Sequence, residues 1–338
     1  VMNTDHKISR VDEDRCKKIA AILKRTGIRD SFYEREFISF NADRETKLRT
    51  YLFSVAICHQ TRSLHHPELN LYGWDCIEHA FLDVMKSYSA FLNPGYLGIM
   101  DPVRLKECLL NVFSYGKDPS HCTLDRIDER SELLYDTVEK LLKKYGGSVS
   151  KMIDSSGGLL LNDGRGMYER LEELEAFSDP FRKKSSFFLK LAWDAGLIQV
   201  KDPENMDPIM DYHMQRVLMR MGCVEVTDQD YRDKLLRNDP VGSDKGVRGP
   251  AIEAVRLLCR DSGIHIWIMN DLLWSLGRSC CGKTTLCHEK VCIKSPCTFF
   301  TIADLDSHDE CIFGEECRGG SDESYSSLME PMVETHYY

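Results

Sequence analysis

Residues 178–225 read SDPFRKKSSFFLKLAWDAGLIQVKDPENMDPIMDYHMQRVLMRMGCVE, and they hold the most informative pattern in the chain. A basic cluster at residues 182–184 opens an apolar helix, which a loop rich in Pro, Asp and Asn follows. Asp211 then stands directly before a second amphipathic helix. A carboxylate at a helix start can simply cap exposed N–H groups. Alternatively, an amine that opens one helix and a carboxylate that opens the next can face one cleft, where the helix dipole keeps the carboxylate ionised.

The composition is that of a globular protein. The 338 residues are 42 % hydrophobic and 29 % charged, which excludes disordered and collagenous chains. No apolar run approaches the roughly 18 residues that span a membrane, and residues 1–10 lack the apolar block of a signal peptide. We therefore expect a soluble, cytoplasmic monomer without membrane contacts. The net charge of −10 argues against a nonspecific nucleic-acid coat protein, although a local basic patch can still bind a polyanion.

Most of the chain has the apolar periodicity of helices, and strand signals are few. The pattern predicts an all-α fold with a small metal-binding module near the C-terminus. The predicted helices span residues 14–24, 52–58, 74–89, 102–113, 131–145, 167–177, 184–196, 213–221 and 250–259.

Cysteines are distributed unevenly. Seven of the 14 are scattered singly through the first 260 residues, as buried small hydrophobic side chains would be, whereas seven fall within 38 residues. This cluster contains C-x5-C-x4-C-x4-C from residue 281 to residue 297, and using Cys280 lengthens the first gap to six residues. An H-x2-C-x5-C pattern from residue 308 can complete a separate zinc site or exchange ligands with the first four. Thiolates suit a [4Fe–4S] cluster or tetrahedral Zn²⁺, and both remain open. The candidate metal ligands are Cys280, Cys281, Cys287, Cys292, Cys297, His308, Cys311 and Cys317.

Four motifs, in this order along the chain, resemble those of the helix-hairpin-helix DNA glycosylase superfamily, which includes endonuclease III, the adenine glycosylases and the archaeal oxoguanine glycosylases. ICHQT at residues 57–61 resembles the early-helix Q-Q-T motif, and KSSFFL at residues 184–189 matches the Lys-Ser that opens an apolar helix. MDYHMQRV at residues 210–217 resembles V-D-x-H-x-x-R-V, and LLWSLGRSCC at residues 272–281 resembles the helix that leads into the iron–sulfur loop. The Gly-x-Gly hairpin is absent, and the replacement at residues 177–183 is similar to the archaeal branch.

The resemblance implies a two-lobed helical fold of the helix-hairpin-helix glycosylase type. Residues 1–130 would contribute to both lobes, 131–275 would form the glycosylase core, 276–318 the Cys-rich module and 319–338 a flexible tail. It also implies that Asp211 stabilises the positive charge that develops on the sugar as the base departs. Lys184 can attack C1′ and form a Schiff base, which permits strand cleavage, or it can bind a phosphate.

The resemblance further implies that the partner is double-stranded DNA and that the target base is turned out of the stack. Gln60 would fill the resulting gap, or it is a buried glutamine with internal hydrogen bonds. Aromatic residues can stack on the everted base or pack in the core. The remaining predicted DNA-binding or base-binding residues are Tyr212, His213, Arg216, Lys183 and Trp193.

Two other functions remain open. Residues 210–218 (MDYHMQRVL) also resemble the A-D-Y-R-x-x-Q-V-L pattern of queuosine-nucleotide salvage hydrolases. Those enzymes cleave an N-glycosidic bond in a free nucleotide. A non-catalytic DNA-binding module is the second alternative. The excised base is not specified by the sequence; a bulky, hypermodified base of phage DNA is one hypothesis, which would make the protein a defence enzyme.

Overall fold

A computed structural model describes residues 8–116, 118–292 and 294–338. The chain is mostly helical, with 56 % helix and little strand, which confirms the predicted helical class. The helices are α1 (Glu13–Leu23), α2 (Glu36–Ser39), α3 (Arg44–Ala56), α4 (Trp74–Ser87), α5 (Pro94–Leu97), α6 (Pro102–Val112), α7 (Ile127–Tyr145), α8 (Val149–Asp154), α9 (Met167–Leu171), α10 (Lys183–Asp194), α11 (Tyr212–Met221), α12 (Gln229–Arg237), α13 (Lys245–Ser262), α14 (Ile266–Arg278), α15 (Leu286–Glu289), α16 (Thr298–Ile302), α17 (Arg318–Ser321) and α18 (Glu323–Ser326). The strands are β1 (Ser9–Val11), β2 (Gly27–Ile28), β3 (His65–His66), β4 (Leu71–Tyr72), β5 (Val224–Val226) and β6 (Ala303–Asp304).

The chain folds into two units. The terminal unit combines residues up to Tyr33 with Asp207–Glu334, and the central unit combines Glu34–Met206 with Thr335–Tyr338. Each unit thus joins segments that are distant in sequence, whereas the sequence predicted four consecutive segments. The predicted tail also has structure, because residues 319–338 include α18 and bury Leu328.

Helix α3 is at the centre of the central unit. It packs against α10, α7, α8 and α4, and its residues from Thr50 to Ala56 are all buried. The helix begins at Arg44, eight residues before the predicted start at residue 52. The reason is local: the Asp43 carboxylate accepts a hydrogen bond from the Thr46 N–H at 3.0 Å, which caps a polar first turn that the apolar pattern did not reveal.

The terminal unit has its own hydrophobic core. Helix α1 packs on α13, α11 packs on α14, and α14 packs on the short helix α16. Strands β1 and β5 pair antiparallel, with Val11 opposite Val224, and join the N-terminal segment to the end of α11. The core therefore supports α14 at the point where it leads into the cysteine cluster.

Candidate functional site

Four metal-binding side chains lie together in the terminal unit. Cys280 follows α14, Cys297 caps the N-terminus of α16, and Cys292 and His308 lie in the adjoining loops. One ligand atom from each side chain lies within 4.8 Å of the other three. The Cys280 Sγ is 3.4 Å from the Cys297 Sγ and 3.2 Å from the His308 Nε2. These four of the eight predicted ligands can therefore bind one metal ion; we call them the Cys280 group.

The surroundings of Cys297 favour its thiolate form. A hydrogen bond from the Cys280 thiol lowers the pKa of Cys297, and contacts with the Ser279 hydroxyl and the Phe300 N–H, each 3.4 Å from the Sγ, also lower it. Metals bind the thiolate rather than the thiol. The Phe300 N–H at the start of α16 thus favours the thiolate form of Cys297, which is the form that binds a cation.

The other predicted ligands are not part of the Cys280 group. All are free, half-buried thiols. The structure therefore places four of the eight candidates in one group and leaves the other four outside it. The remaining set consists of Cys281, Cys287, Cys311 and Cys317.

Lys184 is fully buried in the central unit, in the first turn of α10. Its ammonium donates a hydrogen bond to the Ala56 carbonyl at 2.6 Å, and the Nζ lies 3.2 Å from the His59 Nδ1. Burial lowers the pKa of Lys184 to about 7, and the positive charges of Lys183 and Arg130 also lower it. The amine is therefore partly neutral at neutral pH, which a nucleophilic lysine requires.

His59 extends this contact towards a carboxylate. It is completely buried at the end of α3, and its Nε2 lies 3.4 Å from the Glu129 Oε2. Burial, followed by the charge of Lys184, lowers the pKa of His59, so the ring is neutral. A neutral imidazole carries one N–H; a proton on Nε2 facing Glu129 leaves Nδ1 to accept from Lys184. The sequence did not predict a role for His59, although it directly precedes Gln60 in the ICHQT motif.

A tight turn without glycine positions the start of α10. The buried Asp179 carboxylate accepts hydrogen bonds from the Phe181 N–H at 3.1 Å and the Lys183 N–H at 2.9 Å. Arg182 adopts a left-handed backbone conformation with φ 56°, and its guanidinium pairs with Glu172 at 2.6 Å. The carboxylate of Asp179 thus stabilises the turn through backbone N–H groups, while Arg182 takes the left-handed position that glycine often occupies.

Lys183 and Trp193, which the sequence predicted to bind DNA or the base, also lie on α10. Lys183 is nearly buried, with its Nζ 3.7 Å from the Cys58 Sγ and 5.2 Å from the centre of the Phe187 ring. Trp193 is half-buried near the end of the helix. Lys183 thus contributes positive charge beside Lys184.

Gln60 stands just beyond α3 in a left-handed conformation with φ 43°. Its Oε1 accepts hydrogen bonds from the Arg126 guanidinium at 2.8 Å and from the Thr335 N–H at 3.3 Å, while its N–H donates to the Tyr338 carbonyl at 3.0 Å. His336, between Thr335 and Tyr338 in sequence, interacts electrostatically with Lys184. The segment Thr335–Tyr338 therefore packs beside Gln60, and its His336 lies within electrostatic range of Lys184.

Asp211 belongs to the terminal unit and caps α11. It is 7 % exposed, and its Oδ1 accepts a hydrogen bond from the Met214 N–H at 3.0 Å. This geometry confirms the capping interpretation. The positive end of the helix dipole also favours the ionised carboxylate, as a charge-stabilising role needs.

The three predicted residues that follow Asp211 differ in their surroundings. The rings of Tyr212 and His213 are in contact, with centres 4.4 Å apart. Arg216 is 4 % exposed and lies inside the terminal unit: it pairs with Glu330 and donates to the Gly277 carbonyl at 2.6 Å. Arg216 therefore connects α11 to the start of the cysteine region, and its guanidinium is occupied by internal partners.

Substitutions at Asp211 separate capping from chemistry. Asn is as good an N-cap as Asp, so we expect Asp211→Asn to change the free energy of unfolding by less than about 0.5 kcal/mol. Asp211→Ala is expected to lower it by roughly 1 kcal/mol. Urea denaturation of both variants measures the difference. A loss of several kcal/mol in Asp211→Asn would contradict this description of the cap.

Within the described part of the chain, no helix combines the length and the hydropathy that a bilayer crossing requires. No protein-family model matches the chain, and no curated protein matches it significantly.

Proposed function

We propose that the protein is a DNA glycosylase with lyase activity, of the helix-hairpin-helix type, and that Lys184 is its nucleophile. The observation that carries this proposal is the buried amine of Lys184, whose pKa is about 7 and which contacts His59. A lysine that only binds phosphate needs its positive charge and has no use for a low pKa. A lysine that attacks carbon needs the neutral amine.

The proposed reaction uses that amine directly. The lone pair of the Lys184 Nζ attacks C1′ of the flipped nucleotide, and the bond from C1′ to the base breaks. The base leaves with the bonding electrons and takes up a proton, while the attached amine loses one. The C1′–O4′ bond then breaks, O4′ takes up a proton, and the opened sugar is held as a protonated imine. C2′ loses a proton to solvent, and the 3′ phosphate leaves with the electrons of the bond from C3′ to oxygen, which cleaves the strand.

His59 orients the attacking amine in this scheme. Nδ1 of the neutral His59 ring lies 3.2 Å from the Lys184 Nζ and can accept a hydrogen bond from it, which fixes the direction of the lone pair. The proton that the attached amine loses passes to the departing base. The resemblance assigns a separate task to Asp211, stabilising positive charge on the sugar, and Asp211→Asn tests that assignment without loss of the cap.

The segment Thr335–Tyr338 bears on substrate access. It binds Gln60 through two backbone hydrogen bonds and accepts a third from Arg126 at 2.9 Å through the Thr335 carbonyl. We propose that this segment moves when a base enters and that Gln60 then exchanges these partners for the DNA. The partner in this proposal is double-stranded DNA, and the base is damaged or modified.

We further propose that the Cys280 group binds Zn²⁺. Three thiolates and one imidazole form a closed tetrahedral set that is typical of structural zinc, whereas [4Fe–4S] clusters are usually held by four cysteines. The ion would act structurally, by fixing the loops that follow α14.

The pH dependence of imine formation follows from the pKa of Lys184. Only the neutral amine reacts, so the rate should rise with pH, level off above about 7 and be about tenfold lower at pH 6 than at pH 8. The groups that set this pKa are Cys58, Lys183, Arg130 and Glu129, apart from burial itself. Single-turnover cleavage of a duplex with one abasic site measures the profile. A rate that still rises beyond pH 9 would indicate an ordinary, exposed lysine.

Mass spectrometry of released bases tests the function itself. The purified protein is incubated with plain, oxidised, uracil-containing and phage-modified duplexes, and with free modified nucleotides including queuosine monophosphate. Release from DNA that is lost in Lys184→Gln but kept in Lys151→Gln, an exposed lysine of the same unit, supports the proposal. Release from a free nucleotide alone identifies a salvage hydrolase instead, and DNA binding without any release identifies a non-catalytic module.

A further inference from the structure

Two hairpin-like segments carry the second set of cysteines, and each segment contacts Arg220 near the end of α11. The first segment begins at Cys281, whose backbone pairs with Thr285, and continues into α15, which carries Cys287. In the second segment the Gly314 N–H donates to the Cys311 carbonyl at 3.0 Å and the Cys317 N–H donates to the Phe313 carbonyl at 2.7 Å. Each segment therefore presents two thiols that are separated by five residues in sequence.

Arg220 and His288 hold the two segments together. The Arg220 Nη1 lies 3.6 Å from the Cys281 Sγ, and the Arg220 carbonyl lies 3.5 Å from the Cys317 Sγ. The His288 Nε2, beside Cys287, lies 2.6 Å from the Gly319 carbonyl, just beyond Cys317. One thiol from each segment thus contacts the same arginine.

The two thiols of the second segment each interact electrostatically with both thiols of the first segment. The Cys311 thiol interacts with those of Cys281, Cys287 and Cys317, and the Cys317 thiol also interacts with those of Cys281 and Cys287. The two pairs of thiols are therefore neighbours, and thiolates bind thiophilic metals.

We infer that Cys281, Cys287, Cys311 and Cys317 form a second metal site, separate from the Cys280 group. Unlike the Cys280 group, these four thiols do not all lie within 4.8 Å of one another. Four thiolates and no harder ligand select a thiophilic centre: an iron–sulfur cluster, whose ligands stand farther apart, or a zinc ion that draws them together. The guanidinium of Arg220 is 1 % exposed and donates to the Gly282 carbonyl at 2.6 Å, so it offsets the negative charge of the thiolates from a fixed position.

The two sites are interleaved along the chain. Cys280 and the adjacent Cys281 belong to different sites, and the other ligands of the Cys280 group, from Cys292 to His308, lie between the two pairs of the second site. The helices in this region have only four or five residues, too few to be stable alone. Two interleaved metals would cross-link them in place of a larger hydrophobic core.

Metal counting on the full chain tests this inference. Native mass spectrometry with elemental analysis for zinc, iron and sulfide should find two centres per chain: two zinc ions, or one zinc ion and one iron–sulfur cluster. A single centre in the wild-type protein would overturn the inference, and this measurement requires no variant to fold.

Variants then assign the ligands. Cys287→Ser and Cys311→Ser should each lose the second centre and keep the one in the Cys280 group. Cys292→Ser should lose the centre in the Cys280 group and keep the second. The control Cys259→Ser, on α13, should keep both. Cobalt(II) added to the metal-free chain should likewise bind with two equivalents, each with thiolate-to-cobalt charge-transfer absorption. Retention of both centres in Cys287→Ser and Cys311→Ser would overturn the second site.

Discussion

Lys184→Met is expected to abolish imine formation with abasic-site DNA and, at the same time, to make the protein more stable at pH 7. Loss of the nucleophile should reduce strand cleavage by at least about 10³-fold, since no nearby group supplies an equivalent amine. Lys183 is adjacent, but its Nζ contacts the Cys58 Sγ rather than His59. A lysine with a purely structural role would instead destabilise the protein when removed.

The gain in stability follows from the pKa of Lys184. The folded-state value of about 7 lies below the ordinary value of 10.5, so the unfolded chain binds more protons between these two pH values. Stability therefore rises with pH through this window, and the cost of burying Lys184 reaches about 4 kcal/mol at pH 7. Methionine removes that cost but leaves the Ala56 carbonyl without its donor, which costs about 1–3 kcal/mol. The expected net gain is roughly 1–3 kcal/mol.

Urea denaturation at pH 7 and pH 10 measures this gain. The gain in Lys184→Met should vanish or reverse at pH 10, where the wild-type amine is neutral in the folded state and the lost hydrogen bond to the Ala56 carbonyl dominates. Lys151→Met, at an exposed position of the same unit, should show no such difference at either pH. A Lys184→Met variant that is less stable than wild type at pH 7 would show that the amine is structural.

Loss of metal from the Cys280 group is expected to have the second largest effect, on the terminal unit. Structural zinc contributes about 10–16 kcal/mol of apparent binding free energy in small zinc-binding peptides, so its removal should lower the free energy of unfolding by several kcal/mol. Hydrogen exchange with and without a chelator locates the effect. Protection should be lost over residues 279–318 and kept in α3 and α7 of the central unit.

Cys297→Ser serves as the matched variant, because it removes the ligand whose pKa is lowered and leaves the backbone cap of α16 to a hydroxyl. It should reproduce the part of the chelator's effect that comes from the Cys280 group, while Cys259→Ser on α13 should lose no protection. Unchanged protection over residues 279–318 after metal removal would contradict a structural role for the site.

Local signals predicted α11 and its cap well. An aspartate before an amphipathic pattern needs no distant partner, so Asp211 could be assigned as an N-cap from sequence. The cysteine cluster was also evident, because seven cysteines within 38 residues are a compositional signal. Spacing could not select the Cys280 group, however, since Cys280 and Cys281 are adjacent and only Cys280 belongs to it.

The contacts that matter most for the proposed chemistry are distant in sequence. His59 and Lys184 are 125 residues apart, and nothing local to either residue indicates the other. The low pKa of Lys184 arises mainly from burial, which depends on how α10 packs on α3 rather than on the basic cluster at residues 182–184. Each unit also combines segments that are distant in sequence, and tertiary packing determines which segments these are. The sequence pattern predicted consecutive segments instead.

Borohydride trapping is the most direct measurement of the proposed nucleophile. The protein is mixed with a duplex that carries one abasic site, the imine is reduced, and the covalent adduct is digested and mapped by mass spectrometry. We predict an adduct on Lys184 whose yield at pH 6 is about one tenth of that at pH 8. An adduct on another lysine, or none at any pH between 6 and 9, would contradict the assignment of Lys184 as the nucleophile.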